Sequence, residues 1–206
     1  MTGPMSNLRM PVALTSALLL ATIAALALCQ TESGDVRRKV ELALDSWTDR
    51  ASAHESVEKL GQRGFVAVAS IAENSKEPSL RRRLAISLLA TFNTQESVDS
   101  LIKILNDERA VFRCLAIHSL IEIKKRRAVP ALIRKLDDQT VCLKSVQTHT
   151  KEQIDVYVSD EAVRALEGIT GVSFEEEKDL WIIGHRSTQP WREWWAKNSV
   201  LFVDEN

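Results

Sequence analysis

Glycine and proline are scarce, at 7 and 5 of 206 residues. Long irregular loops and many-turned β architectures draw on both, so neither is expected. A dominant charge is also missing: 27 Lys and Arg face 28 Asp and Glu, for a formal net charge of −1. That balance supplies no global attraction to nucleic acid or to an anionic membrane, and any such contact needs a local patch. Of three cysteines only Cys114 and Cys142 lie beyond residue 29, too few for a disulfide framework, and there are four histidines. The chain has no glycine-rich phosphate loop, no nucleophile elbow and no H-E-x-x-H. No catalytic residue and no cofactor is expected from these motifs.

What is present begins with one uncharged run, VALTSALLLATIAALAL (12–28), behind the single cation Arg9. This is the order of an export signal, a cationic start followed by an apolar stretch. It falls short of the roughly 20 apolar residues of a comfortable membrane span. Three fates stay open. Ala25-Leu26-Ala27 has the small-x-small form of a cleavage site. Leu26-Ala27-Leu28-Cys29 resembles a lipoprotein signal with Cys29 as the lipidated residue, although Leu28 stands where a small residue is usual. Residues 1–29 could also stay uncleaved as an anchor. All three make 30–206 an exported domain, periplasmic or facing the outside of a membrane, with the membrane as a partner where the N-terminal segment is retained or Cys29 is lipidated.

That domain repeats itself. SVDSLIKILND (97–107) matches AVPALIRKLDD (128–138) at an offset of 31, and RRLAISLLATF (82–92) matches RCLAIHSLIEI (113–123) at the same offset. The apolar residues recur at spacings of three and four, so both segments read as helices. One unit is helix, turn, helix, turn. A weaker copy lies at GFVAVASIAEN (64–74), with a first helix expected near His54–Leu60. A further helix is expected over 35–47, capped by Asp35. Asp107 is followed six residues later by Arg113, and Asp138 by Lys144. An acid closing one unit and a base opening the next predict a charge ladder along the stack, with Arg82 and Asn74 in the preceding copy.

A helical-hairpin repeat of 31 residues with Val-x-x-Leu-Ile-x-x-Leu second helices, and Pro130 in AVPALI, resembles the HEAT repeats. The resemblance extends to the HEAT-like repeats of bacterial phycobilisome lyase subunits. It implies an all-α fold, a right-handed α-α superhelix, over about 35–170. It also implies binding of other proteins along the inner helices. The closing segment is similar to that of bacterial HEAT-repeat proteins, through Thr170-Gly171, Phe174 and the Trp-x-x-Trp-Trp helix of Trp191, Trp194 and Trp195.

The repeat breaks after Lys144. Val146 and Thr148 alternate, then Ile154, Val156 and Val158, around a polar turn at 150–152. This predicts a β-hairpin inserted at about 145–160. The helical pattern resumes with Ala162, Leu166 and Ile169, at an offset of 46 from Ala116, Leu120 and Ile123. A cap follows over about 171–206, with Pro190 opening its helix. A solenoid must cover its open ends. Trp191, Trp194 and Trp195 share one side of a short helix, so they are expected to plug the stack, with Trp194 or Trp195 buried.

One constellation has the residue types of a metal site. Cys114 and His118, at i and i+4, share a helix face, and Cys142 and His149 could approach. The spacing lacks a tight Cys-x-x-Cys and crosses the break in the repeat. Zinc, a Cys114–Cys142 disulfide and two unlinked packing cysteines are the alternatives, and the last is the reading expected. Two basic runs, Arg81-Arg82-Arg83 and Lys124-Lys125-Arg126-Arg127, could meet on one edge, but the overall charge and the acidic run 175–177 oppose nucleic-acid binding. The expected function is a non-enzymatic scaffold for another protein. The alternative is an enzyme or lyase-subunit-like protein.

Overall fold

The computed structural model describes residues 33–46, 49–146, 153–174 and 186–202, with backbone only at 145 and 146. The expectations for residues 1–29, Cys29, residue 47 at the end of the first helix, Thr148, His149, the turn at 150–152 and the acidic run 175–177 lie outside the described residues. The chain opens with a helix over 33–45 (α1). Then follow α2 (Arg50–Glu58), α3 (Gly61–Glu73), α4 (Ser79–Phe92), α5 (Gln95–Ile104) and α6 (Ala110–Ile123). A short α7 (Val129–Ile133) is flanked by 3-10 turns at Arg126–Ala128 and Arg134–Asp137. Strands β1 (Val141–Val146) and β2 (Gln153–Tyr157), then α8 (Val158–Thr170), α9 (Gln189–Asn198) and a 3-10 turn at Ser199–Phe202 complete the order. Among the described residues no helix is long and apolar enough to cross a membrane.

The helices form two layers. α2, α4, α6 and α8 pack side by side as first helices, and α3 and α5 form the second layer, which the turn before α7 continues. The repeat register explains the core. Ala85, Ile86 and Leu89 of α4 correspond to Ala116, Ile117 and Leu120 of α6, and all six are buried. Val98, Leu101 and Leu105 correspond to Val129, Leu132 and Leu136, again all buried. Ala162 and Leu166 extend the same two rows into α8. Each Leu, Ile or Val so placed contributes about 1.5–3 kcal/mol through removal from water.

The turns are set by local chemistry. Asp49 caps α2, its carboxylate accepting from the Ser52 amide at 2.8 Å. Thr94 and Ser97 cap α5 reciprocally. The three long first helices all stop on a left-handed residue: Asn93 (φ 49°), Lys124 (φ 54°) and Gly171 (φ 74°). Gly171 suits that position because it has no Cβ to clash.

Four expectations are corrected. Helix α1 is already under way at residue 33, so Asp35 does not cap it and instead pairs with Lys39 one turn on, at 2.7 Å. The first helix before α3 runs over Arg50–Glu58 rather than 54–60. The segment 128–138 is not one helix but α7 between two 3-10 turns. The hairpin starts earlier, at Val141, and ends at Tyr157, with Val158 opening α8 rather than continuing the strand. The strands are antiparallel, with Lys144 opposite Asp155 and Leu143 opposite Val156. The insertion therefore precedes a whole first helix instead of interrupting one. Its base is held by the Val158 and Ser159 amides, which donate to the carbonyls of Thr140 and Asp138 at 3.1 and 3.0 Å.

Candidate functional site

The second-helix layer is open where α3 and α5 meet. Short side chains there, Ala69, Ser70 and Ser100, leave a groove of about 710 Å³ floored by Phe65 and rimmed by Glu73 and Asp99. A second groove, about 320 Å³, lies between α1 and α3 against Val36, Arg37 and Ala67. Val66 borders both, and it is 55% exposed. It is the apolar side chain that stands between the two concave strips. The rim charges are tied from unit to unit. Lys103 reaches Glu73 at 3.4 Å and Arg127 reaches Asp99 at 2.8 Å.

The charge ladder exists with different partners. Arg113 sends Nη1 to the carbonyls of Asp107 and Glu108 at 2.7 and 3.0 Å, and its Nε lies 2.8 Å from Asp138. Arg82 repeats this one unit earlier, with Nε donating to the Ala72 carbonyl at 2.8 Å and Nη2 pairing with Asp107. Each arginine thus joins the end of the preceding unit to the acid that closes its own. Asp107 meets Arg113 through its backbone and gives its carboxylate to Arg82. Lys144 takes no place in the ladder: it sits exposed on β1. Ser159, on α8, stands where the next arginine is due, and its amide meets the Asp138 carbonyl instead.

The tryptophans close the end of the second layer. Trp191 is 1% exposed, while Trp194 and Trp195 are partly buried. The residue that is fully buried is therefore Trp191, not either of the two expected. Phe174 packs edge-on to Trp191 at 5.0 Å between ring centres, and Phe202 lies 5.7 and 5.6 Å from Trp194 and Trp195. Helix α9 rests on α7, and Arg192 pins it with a 2.5 Å contact to Asp137. Arg126 lies over the Phe202 ring at 4.6 Å.

Cys114 and Cys142 are linked as a disulfide, with Cα atoms 6.4 Å apart. This corrects the reading of unlinked cysteines. The other candidate ligand, His118, donates from Nε2 to Glu161 at 2.7 Å. Among the described residues no three His, Cys, Asp or Glu side chains gather to hold an ion. Glu161 is buried, which alone would raise its pKa. The hydrogen bond from His118 and the charges of Arg164, His118 and Arg186 outweigh that and hold it below the ordinary carboxylate value. Sequence reasoning missed this pair because its members lie 43 residues apart on either side of the hairpin. The basic runs do not form one cationic edge. Arg81 pairs with Asp45, Arg82 with Asp107, Arg127 with Asp99, and Arg126 stacks on Phe202.

The geometry defines a class: a two-layer stack of helical hairpins with a groove on its second-helix side. Residues 66–146, from within α3 to the end of β1, match the family model for HEAT repeats. Over that span the central units are similar to HEAT repeats. No curated protein sequence matches it.

Proposed function

We propose that this chain is a non-enzymatic scaffold that binds another protein, exported to the periplasm or cell surface. It stays tethered there or is released according to the fate of residues 1–29. HEAT repeats generally serve protein–protein interaction, and the central match is the observation that carries the reading. The groove around Val66 is the surface best suited to it. Its short side chains and paired rim charges offer shape and a few apolar contacts. The export half rests on the apolar run 12–28 with its cationic start.

The full chain with a C-terminal tag, made in its own cells, tests both halves. Fractionation should place it outside the cytoplasm. Crosslinking should recover one stoichiometric protein partner, lost on Val66→Asp and kept on Leu80→Asp, an exposed leucine on first helix α4. Turnover of a small molecule by the chain without any protein partner would overturn the scaffold reading.

A further inference from the structure

The repeat register shows that neither cysteine belongs to the solenoid pattern. Cys114 corresponds, at an offset of 31, to Arg83 of α4, which is exposed. Cys142 lies on the inserted strand β1, outside the register, in which Tyr157 takes the place of Val111. In the bare repeat the position of Cys114 would face water. Cys114 is instead 5% exposed, because β1 lies along α6 and covers it. The bond therefore serves the insertion, not the stack, whose rows of Ala, Ile and Leu are complete without it.

The remaining hold on the hairpin is uneven. Its base is fixed to α8 through Thr140 and Asp138, and Val156 on β2 is buried. On β1 the side chains that follow Cys142 contribute less: Leu143 is 56% exposed and Lys144 is exposed, while Val141 before it is half-buried. A two-stranded hairpin is marginal on its own in water. The sulfur bridge is the one covalent tie between β1 and α6.

We infer that the Cys114–Cys142 bond is a redox latch that holds the inserted hairpin against α6, closing only where a disulfide oxidant is at hand. The thiolate of Cys142, the more exposed of the pair, attacks the oxidant's disulfide and releases one of its sulfurs as a thiolate. Cys114 as a thiolate then attacks the mixed disulfide at Cys142 and releases the second. Two protein thiols lose two protons and two electrons, and the oxidant is reduced to a dithiol. In a reducing cytoplasm the pair stays open, so the hairpin is latched after export. That compartment rests on the export reading; the latch itself does not.

Hydrogen exchange read by mass spectrometry tests it on the full chain carrying Cys29→Ser, which leaves these two thiols alone in the count. Oxidised protein is compared with protein reduced and alkylated, and with Cys142→Ala. Amides of 141–146 and 153–157 should exchange about tenfold faster or more once the bond is open, with α4 unchanged. Oxidised glutathione should restore protection to the reduced, unalkylated chain. Unchanged exchange in both strands would overturn the latch. An equal rise in α4 would overturn it too, by making the bond a staple of the whole stack. Exported protein isolated with both thiols open to alkylation would overturn the compartment. A chain confined to the cytoplasm that still closes and protects its hairpin in oxidised glutathione would sink the export reading and support the latch.

Discussion

Arg113 and Asp138 form a largely buried ion pair, Nε to Oδ2 at 2.8 Å, across the span of one repeat unit. The same guanidinium donates to two carbonyls at the end of the unit before it. One side chain thereby fixes the spacing of two neighbouring hairpins. The carbonyls it meets would otherwise be left without an amide partner where the chain turns.

Removing one member of such a pair leaves the other buried without its opposite charge; Asp138 would keep the Thr140 amide, at 3.2 Å. Arg113→Met is expected to lower unfolding free energy by about 3–5 kcal/mol. Lys144→Met, on the exposed strand, should change it by no more than about 0.5 kcal/mol. Urea unfolding of both variants makes the comparison. Equal small effects would show that the ladder does not hold the units together.

Trp191→Ala should cost about 3–5 kcal/mol, the range for truncating a large buried aromatic. Trp194→Ala should cost clearly less, since that ring is only partly covered. Melting temperatures of the two variants decide the order. If Trp194→Ala proved the more damaging, Phe174 and Trp191 would not be the seat of the cap.

The stack was legible because its apolar residues recur at a fixed offset in both layers. Ile86 and Ile117, or Leu101 and Leu132, say the same thing twice, and burial follows. The ladder was half legible: the residue types and spacing were right, but the partner of Arg113 lies 25 residues ahead, set by how the units stack rather than by the turn between them. The identity of the buried tryptophan was not legible. Trp191, Trp194 and Trp195 share a helix side, and only the docking of α9 on α7 with Phe174 beside it separates them. The disulfide was hidden for a related reason. Cys142 reads as the start of another helix until β1 forms and folds back on α6. His118 and Glu161 are brought together by the insertion between them, so no local pattern marks the pair.

Lys124 ends α6 with φ at 54°, the position that Asn93 and Gly171 fill in the neighbouring first helices. A side chain with a Cβ is disfavoured there, and Gly is not. Lys124→Gly should therefore stabilise the protein, by about 1 kcal/mol, even though it removes a charge from an exposed site. Gly171→Ala should shift stability the other way. Denaturant midpoints for both variants read the sign. A loss on Lys124→Gly would mean that the side chain makes a contact worth more than the backbone strain.

The Glu161 carboxylate supplies a pH dependence with a definite sign. Its folded pKa lies below the ordinary value of about 4.3, because His118, Arg164 and Arg186 outweigh the effect of burial. A depressed carboxylate contributes stability that is fully present above the unfolded pKa. That contribution is lost as pH falls from the ordinary glutamate range through the lower folded value. Other acids held low, Asp138 and Asp45 among them, act in the same direction, so the total curve cannot isolate one group. The difference between the native chain and Glu161→Gln can, because the other acids cancel. At neutral pH the variant should be less stable by about 1–3 kcal/mol, the loss for a buried hydrogen bond to a charged group. That gap should narrow steadily as pH is lowered below about 4. Urea midpoints taken at matched ionic strength across this range would show it. A gap that stayed constant through the acid range would mean that Glu161 holds α6 to α8 by packing alone and that its charge contributes nothing.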